Sequence, residues 1–350
     1  MSSLRASLEA EIANFFPGYF ALVMATGIVS LAAHFMLTDA IALPLFAFNT
    51  GCFVVLWTIT LARLALFPHR LIDDLTHHAR SVTFLTAVAG TMVLGSQFAI
   101  LTPWLWVAQA LWYFGAILWL VLIYTFFASI TMRMEKPAIQ EGINGAWLLV
   151  TVSTESICVL GTLVAPSTAA PHLIYFVSLC AYMVGALLYL VIITLVIYRW
   201  SFFSLSAEKL TPPYWINMGA LAITTLAGTR LILSSEEMPL LSELAPFLKG
   251  STLFFWAAAA WWVPLLIIVG LWRHGAKRVP LTYDPQYWSL VFPLGMFTVA
   301  TFMLTRALDL PFLNAIPNVF ACISLAAWFI TCIGMLRTMG LTFTSRKPLT

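Results

Sequence analysis

Apolar residues fill ten long stretches of this chain, and polar residues collect in the short gaps between them. A helix needs about 20 mainly apolar residues to cross the hydrocarbon layer of a bilayer, so the pattern predicts ten transmembrane helices. They are expected over residues 16–35, 43–67, 81–99, 103–131, 144–164, 172–203, 213–234, 247–272, 288–308 and 316–336. The fold class that follows is all-α integral membrane, with residues 1–350 forming one transmembrane domain between short tails. Composition agrees, because 61% hydrophobic residues against 9% charged ones lies far outside the range of soluble domains.

The few charges are not scattered. Arg5, Arg63, Arg70, Arg80, Arg133, Lys136, Arg199, Lys209, Arg273, Lys277, Arg278, Arg337, Arg346 and Lys347 fall at the ends of the chain and in the gaps after the even spans, Arg63 and Arg199 in the last turn before such a gap. The other side holds Arg230, Lys249 and Arg306. Short loops rich in Lys and Arg stay cytoplasmic, so both termini are expected inside a cell membrane. The net charge of +3 then reflects topology and not a nucleic-acid partner. Residues 1–14 are polar, and the first apolar stretch has no small-residue cleavage site, so it is expected to stay as the first helix. Cys52, Cys158, Cys180, Cys322 and Cys332 lie inside spans at unrelated spacings, which suits packing better than a disulfide frame or a metal site.

The odd spans begin near residues 16, 81, 144, 213 and 288, an advance of about 63 to 75 residues per helix pair. This period predicts five helical-hairpin repeats that all point the same way and ring a central pore. The two helices of each pair differ in polarity. Odd spans carry the small and polar residues, among them Thr26 and Gly27, Thr86 and Gly90, Thr154 and Glu155, Asn217, Thr224 and Gly228, and Thr298; even spans are richer in tryptophan. Small and hydroxyl residues also let membrane helices pack closely, so each such position has a packing role open to it. The bias in all five odd spans places them inside, around a path that these residues would line, with the even helices against lipid.

Glu155 is the one acid expected near mid-depth, with no Lys or Arg at that level. A buried acid costs about 2.5 to 3.5 kcal/mol on insertion scales, which makes it a functional candidate. Two roles stay open: a proton acceptor in a coupled cycle, or a hydrogen-bonding strut among Thr151, Ser153 and Ser156. Without a fixed cation at that depth, an anion would meet weak sites from which it can leave, as conduction requires. Arg230 and Arg306 close odd spans on the outer side near His34, where they would add positive potential at the mouth or anchor the helix ends. The run Asp73-Asp74-Leu75-Thr76-His77-His78 reads as a solvated loop, since adjacent histidines lack the spacing of metal ligands. No nucleophile elbow, zinc-protease helix, phosphate-binding loop or CxxC is present, so neither an enzyme nor a cofactor is expected.

Residues 17–28, Pro-Gly-Tyr-Phe-Ala-Leu-Val-Met-Ala-Thr-Gly-Ile, resemble the first-helix signature of the tellurite-resistance/dicarboxylate transporter family. That family includes yeast malate and sulfite transporters and the slow anion channels of plant guard cells. Phe84-Leu85-Thr86, Gly90-Thr91, Gly95-Ser96-Gln97, residues 215–220, Leu226-Ala227-Gly228, and Trp288 with Phe292-Pro293 extend the resemblance over nearly the whole chain. It implies a pore lined by the odd helices, a homotrimer with one pore per subunit, and a phenylalanine gate in the ninth helix, here Phe292. Phe297 competes for that role by depth. The expected substrate is an anion, first a C4-dicarboxylate such as malate, with tellurite, sulfite or small inorganic anions as alternatives. The bilayer is the other partner.

The charge asymmetry makes orientation testable. In a cysteine-free variant, a single cysteine at Asp73 is expected to be shielded from an impermeant thiol reagent in intact cells, while one at Glu236 reacts. Labelling in the opposite pattern would invert the protein without changing the number of spans.

Overall fold

A computed structural model describes residues 9–344, and therefore leaves Arg5, Arg346 and Lys347 outside the described residues. Among the described residues, ten helices are long and apolar enough to cross a membrane. They are α1 (Phe20–Met36), α2 (Asp39–Leu66), α3 (Leu85–Leu101), α4 (Leu105–Met132), α5 (Leu149–Val164), α6 (Pro171–Phe202), α7 (Ile216–Leu233), α8 (Ala245–Leu271), α9 (Trp288–Ala307) and α10 (Ala315–Thr344). Helices suit a bilayer because each satisfies its own backbone groups. The expected spans recur with shifted ends. For example, α2 starts four residues earlier than its hydropathy, because Thr38 caps the amide of Ala40.

Burial separates the two sets of helices. The odd spans are 78–94% buried inside the protein and the even spans 22–39%. Contacts run from α1 to α3, α5, α7, α9 and back to α1, so the odd helices close a ring. Each even helix packs on the odd helix before it. Glycines let the ring helices approach: a Cβ at Gly90 would press on α1, at Gly95 on Leu160 of α5, at Gly219 on Pro293 of α9 and at Gly295 on Ile28 and Val29 of α1.

Each outer helix also sends at least one polar group to the next inner helix. Asn49 Nδ2 of α2 donates to Gln97 Oε1 of α3 at 2.7 Å, and Trp119 Nε1 of α4 to Thr154 Oγ1 of α5 at 2.9 Å. The Tyr189 hydroxyl of α6 reaches the Asn217 carbonyl of α7 at 3.4 Å. Trp256 Nε1 of α8 donates to Thr301 Oγ1 of α9 at 3.0 Å, and Trp328 Nε1 of α10 to Thr26 Oγ1 of α1 at 2.9 Å.

At the basic end every inner helix begins with a tight 3₁₀ turn: Pro17–Tyr19, Ser81–Phe84, Gly145–Leu148, Pro212–Trp215 and Pro285–Tyr287. Proline suits a first turn because its missing N–H has no partner there. Asn144 and Asp284 cap the third and fifth turns through the amides of Ala146 and Gln286. These turns touch one another in the same closed order as the helices above them. Between neighbouring loops, Lys209 bonds Glu141 and holds its carboxyl below the usual carboxylate range.

One expectation is corrected here. The Asp73–His78 stretch is not a solvated loop, because Pro68–Thr76 is an amphipathic helix that buries Leu71 and Asp74. Asp74 accepts from Arg63 at 2.7 Å and pairs with Arg80 at 3.1 Å, and His78 Nε2 contacts the Gly142 carbonyl at 3.0 Å. Burial displaces His78 below the ordinary imidazole range, more than that carbonyl raises it.

The two kinds of polar contact are expected to differ in worth. Asp74→Ala leaves a 3%-exposed Arg63 without its carboxylate and should cost about 3 kcal/mol. Trp119→Phe removes one interhelical bond and should cost about 0.6 kcal/mol. Denaturation in mixed micelles measures both, and equal small losses would mean that solvent already shields Arg63.

Candidate functional site

The ring encloses a cavity of about 230 Å³ walled by all five inner helices and by no outer one. Its wall lies in the half of each inner helix away from the basic end. Ile28, Leu31 and Phe35 come from α1, Met92, Val93, Ser96 and Ile100 from α3, and Ser156, Val159 and Leu163 from α5. Helix α7 adds Ile223, Leu226 and Arg230, and α9 adds Met296, Val299, Met303 and Arg306. Steps of three and four put each set on one helical stripe. The wall is therefore apolar, with two serines within it and two arginines toward its outer rim.

The arginines are held differently. Arg230 is half-buried and its Nε donates to Thr162 Oγ1 at 3.4 Å. Arg306 is exposed, and its guanidinium lies 4.4 Å from the centre of the Phe302 ring, a cation–π distance. Phe302 in turn stacks on Phe35 at 5.2 Å. His34 turns to Asp39 at 2.5 Å. The rim thus presents two positive groups, Arg306 on an aromatic ring and Arg230 on a hydroxyl.

One turn nearer the basic end, the same five stripes continue as Met24, Ala89, Val152, Gly219 and Phe292, all buried. Phe292 supplies the only ring in this layer. It is 0% exposed, and the following Pro293 lies inside α9 against Gly219. Phe297 leaves the axis: its ring stacks on Trp256 of α8 and meets Phe320 of α10 edge-on at 4.9 Å.

Of the residues expected to line a path, the cavity wall holds Arg230 and Arg306. Thr26 and Thr154 accept from Trp328 and Trp119 of outer helices. Thr298 donates to the Leu294 carbonyl at 2.9 Å and Thr86 to that of Thr83 at 2.7 Å. Gly27 packs against Val93 and Asn49, and Gly90 against Phe20 and Val23. Glu155, Thr224, Gly228 and Asn217 gather off the axis. Thr224 Oγ1 lies 3.3 Å from Glu155 Oε1, Gly228 lies against Thr252 and Tyr182, and the Asn217 carbonyl receives Tyr189. Polarity as a guide missed the Met, Ile, Leu and Val stripes that wall the cavity, and also Ser96 and Ser156. A recurrent apolar stripe in the second half of every odd span was the available signal.

Comparisons with known proteins identify the family. An uncharacterised membrane protein of Mycobacterium tuberculosis is 37% identical over 155 residues, 44% of this chain and 78% of its own length. An uncharacterised transporter of Methanocaldococcus jannaschii is 26% identical over 93% of this chain and 95% of its own. A sulfite efflux pump of Trichophyton rubrum is 27% identical over 91% of this chain and 89% of its own. The profile of the voltage-dependent anion channel family, SLAC1, matches residues 14–336. The motif resemblance and the ten-helix architecture are therefore those of one family: this chain belongs to the voltage-dependent anion channel (SLAC1) family, and its work is anion transport across a membrane and not catalysis.

Proposed function

We propose that the anion passes along the axis of the inner ring, from the basic, cytoplasmic end past Phe292 into the apolar cavity and out between Arg230 and Arg306. The observation that carries this reading is the cavity itself, bounded by five inner helices and by nothing else. The hairpins are proposed to be repeats of one unit, supported by the recurring bond from each outer helix to the next inner one. The resemblance supports a homotrimer in the cell membrane, with one path per subunit.

Small inorganic anions, sulfite first, are favoured over C4-dicarboxylates such as malate. The two cations both stand near one rim, so the deeper wall offers no second anchor for the far carboxylate of a dicarboxylate. The name of the fungal relative points the same way. A hydrophobic constriction with weak polar sites suits a small anion that must enter and leave quickly. Counterflow in proteoliposomes with labelled sulfite, chloride, tellurite and malate tests this. Sulfite is expected to exchange fastest, and malate exchange that outruns it would return the dicarboxylate reading.

Phe292→Ala is expected to raise anion flux severalfold with the fold intact, because removing the ring opens the layer of Met24, Ala89, Val152 and Gly219. Phe297→Ala should leave flux unchanged and lower stability by about 3 kcal/mol, since its ring packs between helices. Higher flux in Phe297→Ala alone would move the constriction to that residue.

Arg230→Met with Arg306→Met is expected to slow uptake at low anion concentration, and the deficit should shrink as an impermeant salt is added. A deficit independent of salt would identify the arginines as helix anchors.

A further inference from the structure

Buried polar atoms with no partner in the chain are distributed unevenly. Within the spans, hydroxyl, amide and carboxyl groups of this kind are found on Asn49 and Gln97 between α2 and α3, and otherwise on Thr151, Glu155, Ser178, Asn217, Thr229 and Thr252. The second group belongs to α5, α6, α7 and α8. Asn217, two turns from Thr224 on the same face of α7, extends it by about 10 Å toward the basic end, while Thr229 lies about 120° around that helix and stands apart. Buried polar groups are normally paired, and a column of unpaired ones marks a place built for something that hydrogen-bonds.

Glu155 stands within this column. It is 0% exposed, and its Oε2 has no partner in the chain. The carboxyl lies flat on Gly185 of α6, where any Cβ would collide with it. Thr224 has one hydroxyl proton and two acceptors, the Ala220 carbonyl at 2.9 Å and Glu155 Oε1 at 3.3 Å. That proton serves one acceptor at a time, and the Ala220 carbonyl is the nearer, so the Glu155 carboxyl is only weakly held.

A polar lane leads outward from there. Tyr182, three residues before Gly185 on α6, lies within electrostatic reach of Glu155, and its hydroxyl pairs at 2.8 Å with Ser251 Oγ, part-exposed near the outer end of α8. Thr252 and the Tyr182 ring both press on Gly228 of α7. The titratable groups around Glu155 are Tyr182 on α6, Cys158 on its own helix and, further out on α7, Arg230; α8 contributes only the hydroxyls of Ser251 and Thr252. Glu155 is not among the residues that wall the axial cavity, although its neighbour Ser156 is.

We propose that Glu155 is a proton-exchange site on a polar file between α5, α6, α7 and α8, parallel to the anion axis and separate from it. A proton enters at Ser251, the Tyr182 hydroxyl accepts it while releasing its own inward, and the Glu155 carboxylate takes it up. Release continues through water that the unpaired amide of Asn217 would hold, since the amide itself takes no proton, so each proton gained at one end is lost at the other and no other bond changes. Coupling of this proton to an anion rests on transport along the axis; the exchange itself does not.

The test uses the full chain in vesicles containing pyranine, with chloride as the probe anion and the potential clamped by potassium and valinomycin. In the wild type, an inward chloride gradient is expected to acidify the lumen. Glu155→Gln should admit chloride with the acidification lost, and Tyr182→Phe should admit chloride with acidification slowed. Equal acidification in Glu155→Gln, or chloride entry without acidification in the wild type, overturns the coupled proton. If chloride does not enter wild-type vesicles, it is the anion reading that fails for this probe, and infrared spectra then judge the file. A carboxylic C=O band absent from Glu155→Gln should shift within minutes of transfer to D₂O. A band that stays in place for hours identifies a dry strut and ends the proposal.

Discussion

A chain threaded ten times through a membrane must bring its last two helices back to its first. Trp328 makes one such contact, its indole N–H donating to Thr26 across 302 positions of sequence. Lipid is as apolar as leucine, so no hydrophobic force gathers these helices; close packing and polar bonds must do it. Gly295 lets α9 lie on α1 at the same seam, and Trp328 also stands 6.4 Å from Trp288. With that seam open, the cavity would have no fifth wall.

The same requirement explains why the interior is apolar. Thr26, Thr154 and Thr301 turn outward because the indoles of Trp328, Trp119 and Trp256 need acceptors in a region without water. Other hydroxyls, such as those of Thr298 and Ser96, turn back on carbonyls of their own helices. Polarity is thus used largely in the seams, leaving the axis to Met, Ile, Leu and Val. An axis of this kind holds an anion weakly along most of its length, which favours movement over retention.

This use of polarity also decides what the sequence could convey. Ten spans, and the division into inner and outer helices, were legible because length and composition are properties of whole segments. Which face of an inner helix meets the axis was not, because Thr154 looks the same whether it serves an anion or Trp119. Phe292 and Phe297 differ by five residues, about 140° around a helix, and only the positions of Trp256 and Phe320 separate them. Asp74 resembled a solvated acid because Arg63, its partner, sits at the end of the preceding long helix and was assigned to the surface. In each case the missing information was the identity of the neighbour across a seam.

Glu155 beside the axis and not on it has an electrostatic consequence. An inner helix is roughly 10 Å across, so an ionised carboxylate behind the wall lies on the order of 10 Å from an anion in the cavity. At an effective dielectric of about 20, the repulsion is about 1.7 kcal/mol, more than a tenfold penalty on occupancy. A proton arriving on Glu155 removes that penalty, and its departure restores it. An anion and a proton would then favour each other's presence by the same amount, as linkage requires, without a large movement of any helix. On the axis itself the carboxylate would stand within a few ångströms of the anion, and the larger repulsion would block the path. Separation by one wall would keep the interaction strong enough to couple the two ions and weak enough to let both pass.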